Sequence, residues 1–527
     1  MSGTHLAIVL HAHLPYVRHP EHERSLEERW LFEAILECYL PLLDAFDRLE
    51  AEGVPFRLTM SLTPPLASML ADPMLQGRFH EYLTRLEALA EVEMVRLYGD
   101  ASFAPVATFY RDRFAKLRGV WDRYQGNVVR GLRGHWDRGN IELIACSATH
   151  AYLPGYLPTP ESIGAQLRLG MAAFASLVGR PAHGMWLPEC AYDPAFDGAL
   201  AGAGVKYTLL DEHGVTHARP RPPAGVFAPI ASPAGTAFFA RDPASSAQVW
   251  SRESGYPGDP FYRDFYRDIG FDLPEDLLRD EVGPFGTRVM TGLKYYRITG
   301  PGDHKEPYQP GVAMERVHAH AHDFVEARRR QAQDVDASII VSPYDAELFG
   351  HWWFEGPDFI EAVFRALAQG TDGRLAAVTL GEHLAARPEL AVATPAPSSW
   401  GEAGYGEVWV GPKSGHLWRH VHHASRYVKW LVDRHRGADG FRGEVLDQVI
   451  RELLLLQSSD WAFILHTGTS TGYAEARVRA HVRRLRHLGH LLEKPAPDGA
   501  DARFLADLQE RDAFLSHFEG PDLRDAF

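Results

Sequence analysis

The 527-residue sequence predicts an α/β fold whose parallel strands close into a barrel, followed by an all-helical region. Three observations predict it. Seven short runs are apolar on both faces, as strands covered on both sides are. Helix-like stretches separate the runs in the βαβ alternation. Beyond about residue 390 the strand signals stop, and helical periodicity takes over.

The runs follow in order. Leu6 to His13 (LAIVLHAH) is the first and Phe56 to Ser61 (FRLTMS) the second. Ile141 to Ala148, Ala182 to Glu189 and Tyr207 to Asp211 come next, then Ser338 to Tyr344 and Leu375 to Leu380. Helical spacing predicts helices over Trp30 to Arg48, Pro160 to Val178 and Pro357 to Gln369. Residues 66–137 are too long for one crossover and read as an inserted helical hairpin. Residues 240–330 hold few regular signals and many Gly, Pro, Tyr and Asp, which predicts a long irregular loop. A Pro-rich linker over Pro388 to Ser399 separates a barrel (residues 1–390) from a helical C-terminal domain (391–527). In that domain Gly415 to Arg436, Gly443 to Gln457 and Gly472 to Glu493 have helical periodicity.

Composition narrows the function. Acidic residues outnumber basic ones by 69 to 54, a net charge of −15, and no long basic stretch occurs. Nucleic acid and anionic membranes are therefore poor partners. No window reads as a membrane span or a secretory leader. Cys38, Cys146 and Cys190 are too scattered for a disulfide framework and fit a reducing cytoplasm. A cytoplasmic monomer is expected.

In a parallel barrel the chemistry gathers at the C-terminal strand ends. The first run ends in His11-Ala12-His13, whose period-2 spacing puts both imidazoles on one face. The third leads to His150, the fourth ends in Trp186-Leu187-Pro188-Glu189, and the fifth ends in Asp211-Glu212-His213. The sixth ends in Tyr344-Asp345-Ala346-Glu347, followed by Gly350-His351-Trp352-Trp353. A single carboxylate after a strand is usually a helix cap, and a single Trp is usually core. Several such ends at one mouth carry more weight. Glu189 and Asp345 are the best acid–base pair, as glycosidic bond chemistry requires two carboxyls. Trp186, Trp352, Trp353 and Phe349 are apolar neighbours in sequence that would raise the pKa of an acid.

HAHLPYVRHP (His11 to Pro20), WLPECAY (Trp186 to Tyr192) and SPYDAELFGHWWFEGP (Ser342 to Pro357) resemble signature segments of glycoside hydrolase family 57. Within the family the chain is most similar to 1,4-α-glucan branching enzymes. SSWGEAGYGEVWV (Ser398 to Val410) and QSSDWAFIL (Gln457 to Leu465) resemble that subgroup. The resemblance implies a (β/α)7 barrel with a helical insertion and a helical C-terminal domain. It also implies a retaining reaction on α-glucan, without metal or cofactor. Glu189 would be the nucleophile and Asp345 the general acid and base, with carboxyls about 5–5.5 Å apart. His11, His13 and His150 would line the sugar subsite. Trp400 and Trp409 would close the cleft, Asp460 would reach substrate across the interface, and Arg267 would be a further contact. Arg241 to Tyr256 would be a loop excluding water, with Tyr256 the nearest match to its tyrosine.

Other readings remain at this point. An α-amylase or 4-α-glucanotransferase would use the same carboxyl pair. His11, His13, His150 and Asp211 would suit zinc in a deacetylase or mannosidase type of site. A non-catalytic glucan-binding protein would need neither acid.

Overall fold

The computed structural model describes residues 3–251, 255–300, 302, 304–334, 338–370, 375–516, 518 and 522–527. Its centre is a ring of short parallel strands, almost every residue of which is buried. The strands are β1 (Thr4–Ala12), β2 (Leu58–Leu62), β3 (Ile141–Cys146), β4 (Met185–Trp186) and β5 (Tyr207–Leu210). Then come β6 (Ile230–Ala231), β7 (Ala237–Ala240), β8 (Ile339–Asp345), β9 (Leu375–Ala377) and β10 (Ala391–Val392). One sheet runs β4-β3-β2-β1-β8, and a second runs β10-β6-β7-β5. A parallel bridge from Gly184 to Tyr207 joins β4 to β5. The Asp242 N–H donates to the Val341 carbonyl (2.8 Å) and joins the end of β7 to β8. Seven parallel strands, β1, β2, β3, β4, β5, β7 and β8, thereby close the barrel.

Six of those strands lie in the predicted runs. The seventh does not. Ala237–Ala240 fills the slot between β5 and β8, whereas the predicted run at Leu375 forms β9 and pairs with the lower half of β1. Four residues (AFFA) between loops are too short for periodicity to single out.

Helices Pro64–Ala71, Pro73–Arg96, Ala104–Arg123 and Val128–Asp137 lie between β2 and β3, the two long ones packed on each other. Residues 240–330 are more regular than expected. They include helix Pro243–Trp250 and the start of helix Pro310–Asp334. The latter buries Ala313, Val317, Ala321 and Phe324 along one face. That stripe is narrow and flanked by His and Arg, so it reads weakly as an amphipathic helix.

After the barrel, helices Trp418–His435, Gly440–Leu456 and Thr471–Glu493 pack together. The middle one is sheathed by the others, burying Val445, Leu446, Val449, Ile450 and Leu453 to Leu456. Its C-terminal end is tied to the barrel. Thr149 Oγ1 donates to the Leu454 carbonyl (2.5 Å), Tyr156 OH to the Gln457 carbonyl (2.9 Å), and Gln166 Nε2 to Gln457 Oε1 (2.9 Å). Cys38, Cys146 and Cys190 are buried and unpaired. Among the described residues no helix is long and apolar enough to cross a membrane.

Candidate active site

The register of the barrel sets one layer of the site. His11 pairs with Ser61 on β2 and with Asp345 on β8. Residues in register on neighbouring parallel strands point the same way, so these three share a level of the barrel mouth. His13, one period on, hydrogen-bonds through Nδ1 to Thr63 Oγ1 (3.0 Å) just past β2.

Glu189 follows β4 with φ 64° and ψ 22°, and His150 follows β3 with φ 55°. Left-handed backbone at a non-glycine residue costs about 1–3 kcal/mol. It persists here where surrounding contacts over-determine it. Trp400 donates its backbone N–H to the Glu189 carbonyl (2.8 Å), and Ser459 donates its N–H to the His150 carbonyl (3.0 Å).

A chain of polar contacts ends on Glu189. Ser61 Oγ lies 3.0 Å from His11 Nδ1, and His11 Nε2 lies 2.9 Å from His150 Nε2. His150 Nδ1 lies 2.8 Å from Ser459 Oγ, which donates to Glu189 Oε1 (3.2 Å). Burial, and then the crowding of three imidazoles, pushes His11 well below the usual histidine range. Burial and His13 do the same to His150. With both rings neutral, the network assigns one direction: Ser61 to His11, His11 to His150, His150 to Ser459, Ser459 to Glu189. Trp400 Nε1 donates to the other oxygen, Oε2 (2.7 Å). Both oxygens of Glu189 are thus met by donors, which favours its anion.

Burial opposes that anion. It raises the Glu189 pKa to about 8, with Asp345 and Asp460 adding like charge and the Trp400 and Ser459 donors pulling the other way. Asp345 is raised to about 6, also mainly by burial, against the opposing influence of His13 and Arg241. Its carboxyl receives no hydrogen bond from the described residues. Asp345 therefore loses nothing by carrying a proton, whereas Glu189 would waste two donors. The two acids feel each other's charge and titrate as a pair.

Asp460 stands at the start of helix Asp460–Thr467, with both oxygens 3.1 Å from His13 Nε2. Burial works against its charge, but His13, His150 and the Ser458 hydroxyl outweigh it and hold the carboxyl below the usual range. Trp186 is fully buried and stacks on His11 (4.5 Å, 8°), with Trp400 edge-on to it (5.1 Å).

His11, His13, His150, Glu189, Trp400 and Asp460 are thus joined by direct contacts, and Asp345 lies in register with His11. Two other expected residues make no contact with this cluster among the described residues. Trp409 is only 2% exposed and stacks on Tyr152 (5.2 Å, 11°), so it backs that ring instead of facing the cleft. Arg267 is paired with Asp272 (2.8 Å) and lies over Tyr296. The cation beside the acids is Arg241, at the end of β7, which faces Asp211 (3.4 Å) and lowers the Asp345 pKa. Tyr256 turns away: its hydroxyl donates to Asp323 (2.7 Å) and its ring stacks on His320. Residues 252–254 of the expected loop lie outside the described residues. Among the expected apolar neighbours, Trp186 lines the cluster, while Trp352 is exposed and Trp353 and Phe349 are packed in the core.

Sequence reasoning missed Ser459, Arg241 and a third acid. Glu347 accepts from the His13 N–H (3.2 Å) and from the Tyr39 hydroxyl, and burial raises it to about 8. Tyr39 comes from a π-helical turn, Ile35–Tyr39, a local widening frequent at functional sites. Only the position of Glu347 in the Asp345 turn hinted at it.

The zinc quartet is not assembled. Asp211 caps helix Glu212–Thr216, and the described ligand atoms of His11, His13, His150 and Asp211 do not converge. Among the described residues two convergent acid–histidine groups exist elsewhere, Asp47–Glu50–His135 and Glu452–His481–Asp512. Both are already ion-paired, with Arg123 and Arg138 at the first and Arg484 at the second. A cavity of about 450 Å³ opens at the opposite barrel end, lined by Trp136, Glu142, Lys206 and Tyr207, and holds none of the expected site residues.

Comparison with known proteins shows which family has this barrel and helical region. Residues 7–392 match glycosyl hydrolase family 57, and residues 420–520 match the C-terminal region of 1,4-alpha-glucan branching enzymes. A 1,4-alpha-glucan branching enzyme of Thermococcus kodakarensis is 33% identical, over 97% of this chain and 77% of that protein. A crystal structure of an enzyme from that organism, titled a GH57 branching enzyme, superposes with a TM-score of 0.87 at 31% identity, covering 99% of this chain and 96% of that one. The structure of AmyC from Thermotoga maritima, titled a novel alpha-amylase, gives 0.91 at 40% identity, covering 100% and 99%. With a family match across most of its length and the expected barrel around these carboxyls, the chain belongs to glycoside hydrolase family 57.

Proposed function

We propose that the protein is a 1,4-α-glucan branching enzyme of α-glucan biosynthesis, working as a cytoplasmic monomer without metal or cofactor. One observation carries the reading. The region similar to the C-terminal part of branching enzymes, residues 420–520, includes Ser459 and Asp460, which contact Glu189 and His13. A barrel of residues 1–390, with its insertion at 66–137, supplies the acids, and residues 391–527 complete the cleft.

The reaction runs in two displacements. Glu189 attacks the anomeric carbon of an α-1,4-linked glucose while Asp345 gives its proton to the departing 4-oxygen. The chain is then held as a β-glucosyl ester on Glu189. Asp345, now a base, takes the proton from a 6-hydroxyl of an acceptor glucan, which attacks and forms an α-1,6 branch. Ser459 and Trp400 hold Glu189 for in-line attack. His11 and His13, fixed by Ser61, Thr63 and Asp460, line the subsite where the attacked ring sits.

Incubation with amylose followed by NMR tests the reading. New α-1,6 anomeric signals with little gain in reducing ends are expected. Reducing ends without α-1,6 signals would reject branching. That outcome would belong to the alternative reading, an α-amylase such as AmyC is named, which the branching-enzyme relatives and the C-terminal match do not favour.

Trp400→Phe keeps the ring but removes the donor to Glu189. It is expected to lower kcat by about 10- to 100-fold with little change in KM, because a charge-assisted hydrogen bond to the attacking anion is lost. A change in KM alone would place Trp400 in ground-state binding only.

A further inference from the structure

The catalytic turn continues into an exposed aromatic surface. Trp352 is 57% exposed and Tyr266 is 76% exposed. Between them Phe265 stacks against Trp352 (4.5 Å, 28°) and meets Tyr266 edge-on (5.3 Å). Isolated exposed aromatics need no explanation, but a contiguous group beside a catalytic mouth marks a binding surface.

The platform is rigid. The Trp352 N–H donates to the Glu347 carbonyl (3.3 Å), so the indole hangs from the turn that begins at Asp345. His351 Nδ1 lies 2.7 Å from Glu37 Oε2, and Gly350, at φ 122°, lets the loop lie on the Glu37 carbonyl, where a Cβ would come within 1.9 Å. On the far side Lys294 Nζ donates to the Phe265 carbonyl (2.6 Å) and sits over its ring. Several anchors hold the rings in place without a ligand, as preorganised binding requires.

We propose that the Trp352–Phe265–Tyr266 platform is the binding site for the α-glucan chain on the acceptor side of the scissile bond. The inference rests on the α-glucan reading above and names which chain goes where. Asp345 must lie beside the scissile oxygen, and the sugar beyond that oxygen lies on the acid's side of the cleft. Trp352 hangs from the Asp345 turn and not from the Glu189 turn, and Phe265 and Tyr266 pack on it, so the platform serves the departing chain and the acceptor that replaces it. The C–H faces of pyranose rings pack on flat aromatic faces, and successive rings would be held by successive side chains. The occupant is a neutral polymer, matching a surface built of rings.

Trp352→Ala tests this with two substrates. With amylose, KM is expected to rise at least about ten-fold, and the ratio of transfer to hydrolysis to fall. With α-maltosyl fluoride, which has no sugar beyond the departing fluoride, release of fluoride is expected to stay within about two-fold of the parent. Trp352→Phe, which keeps a flat ring, is expected to restore most of the amylose KM. Tyr266→Ala serves as an independent variant, expected to raise the amylose KM in the same direction. An unchanged amylose KM in both alanine variants would overturn the proposal, as would equal losses on both substrates, or dissociation of an oligomer on substitution. A parent protein inactive on amylose would overturn the α-glucan reading itself, a result distinct from those.

Discussion

Glu189→Gln is expected to lower kcat/KM on amylose by at least about 10⁴-fold while leaving the protein folded and more stable. The loss follows from removing the nucleophile, for which no neighbouring side chain can substitute. The amide can keep its oxygen toward Trp400 Nε1 and its NH₂ toward the Ser459 hydroxyl, so the packing survives. The stability gain follows from linkage. The Glu189–Asp345 pair keeps a proton up to about pH 8 in the folded protein, whereas an exposed glutamate loses its own near 4.5. Between those values the unfolded state loses the proton that the folded state keeps, so the native carboxyl costs stability progressively from pH 4.5 upward. Glutamine has no such cost. The variant's melting temperature should match the parent's below pH 4.5 and exceed it at neutral pH, with a stability difference at pH 7.5 on the order of 4 kcal/mol. Thermal melts at pH 4 and pH 7.5 check the sign. A variant less stable at both would mean that Glu189 carries no buried strain.

Asp345→Asn is expected to separate the two half-reactions. On amylose the loss should be about 10²- to 10⁴-fold, since the departing sugar oxygen then leaves without a proton. On α-maltosyl fluoride the first displacement should stay fast, because fluoride needs no acid. The glucosyl-enzyme then accumulates for want of a base. Added azide, which needs no deprotonation, should release it as an α-glycosyl azide, with retention. Azide rescue of Asp345→Asn but not of Glu189→Gln fixes the two roles, and rescue in the reverse pattern would exchange them.

The same pair sets the pH profile. The two acids titrate together with apparent values near 6 and 8, and between those values the pair holds one proton. The kcat/KM profile of the parent should be bell-shaped with limbs near those values. In Asp345→Asn the basic limb should disappear, because no second carboxyl remains to ionise, while the acidic limb should stay, because Glu189 then ionises beside a neutral side chain as it does in the parent.

Much of this was legible in the sequence because the barrel repeats a simple pattern. β1, β3 and β8 are apolar on both faces and end in their chemistry at His11, just before His150, and at Asp345. What was not legible depends on small or distant things. β7 has four residues, yet it delivers Arg241 to the mouth. Ser459 works only because the end of a C-terminal helix meets the His150 backbone more than 300 residues away in sequence, and no local signal marks that meeting. Trp409 misled because an aromatic beside a site-forming segment looks the same whether it faces ligand or packs behind Tyr152. For Arg267 the motif fixes the neighbourhood of the side chain but not the partner it takes, here Asp272.

The account rests on a sugar becoming covalently attached to one named oxygen. Treating Asp345→Asn with α-maltosyl fluoride, quenching in acid and mapping peptides by mass spectrometry examines that attachment directly. The account predicts a maltosyl adduct on the peptide containing Glu189, absent when Glu189 is also replaced by Gln. An adduct on any other residue, or none while fluoride is released in a stoichiometric burst, would contradict it.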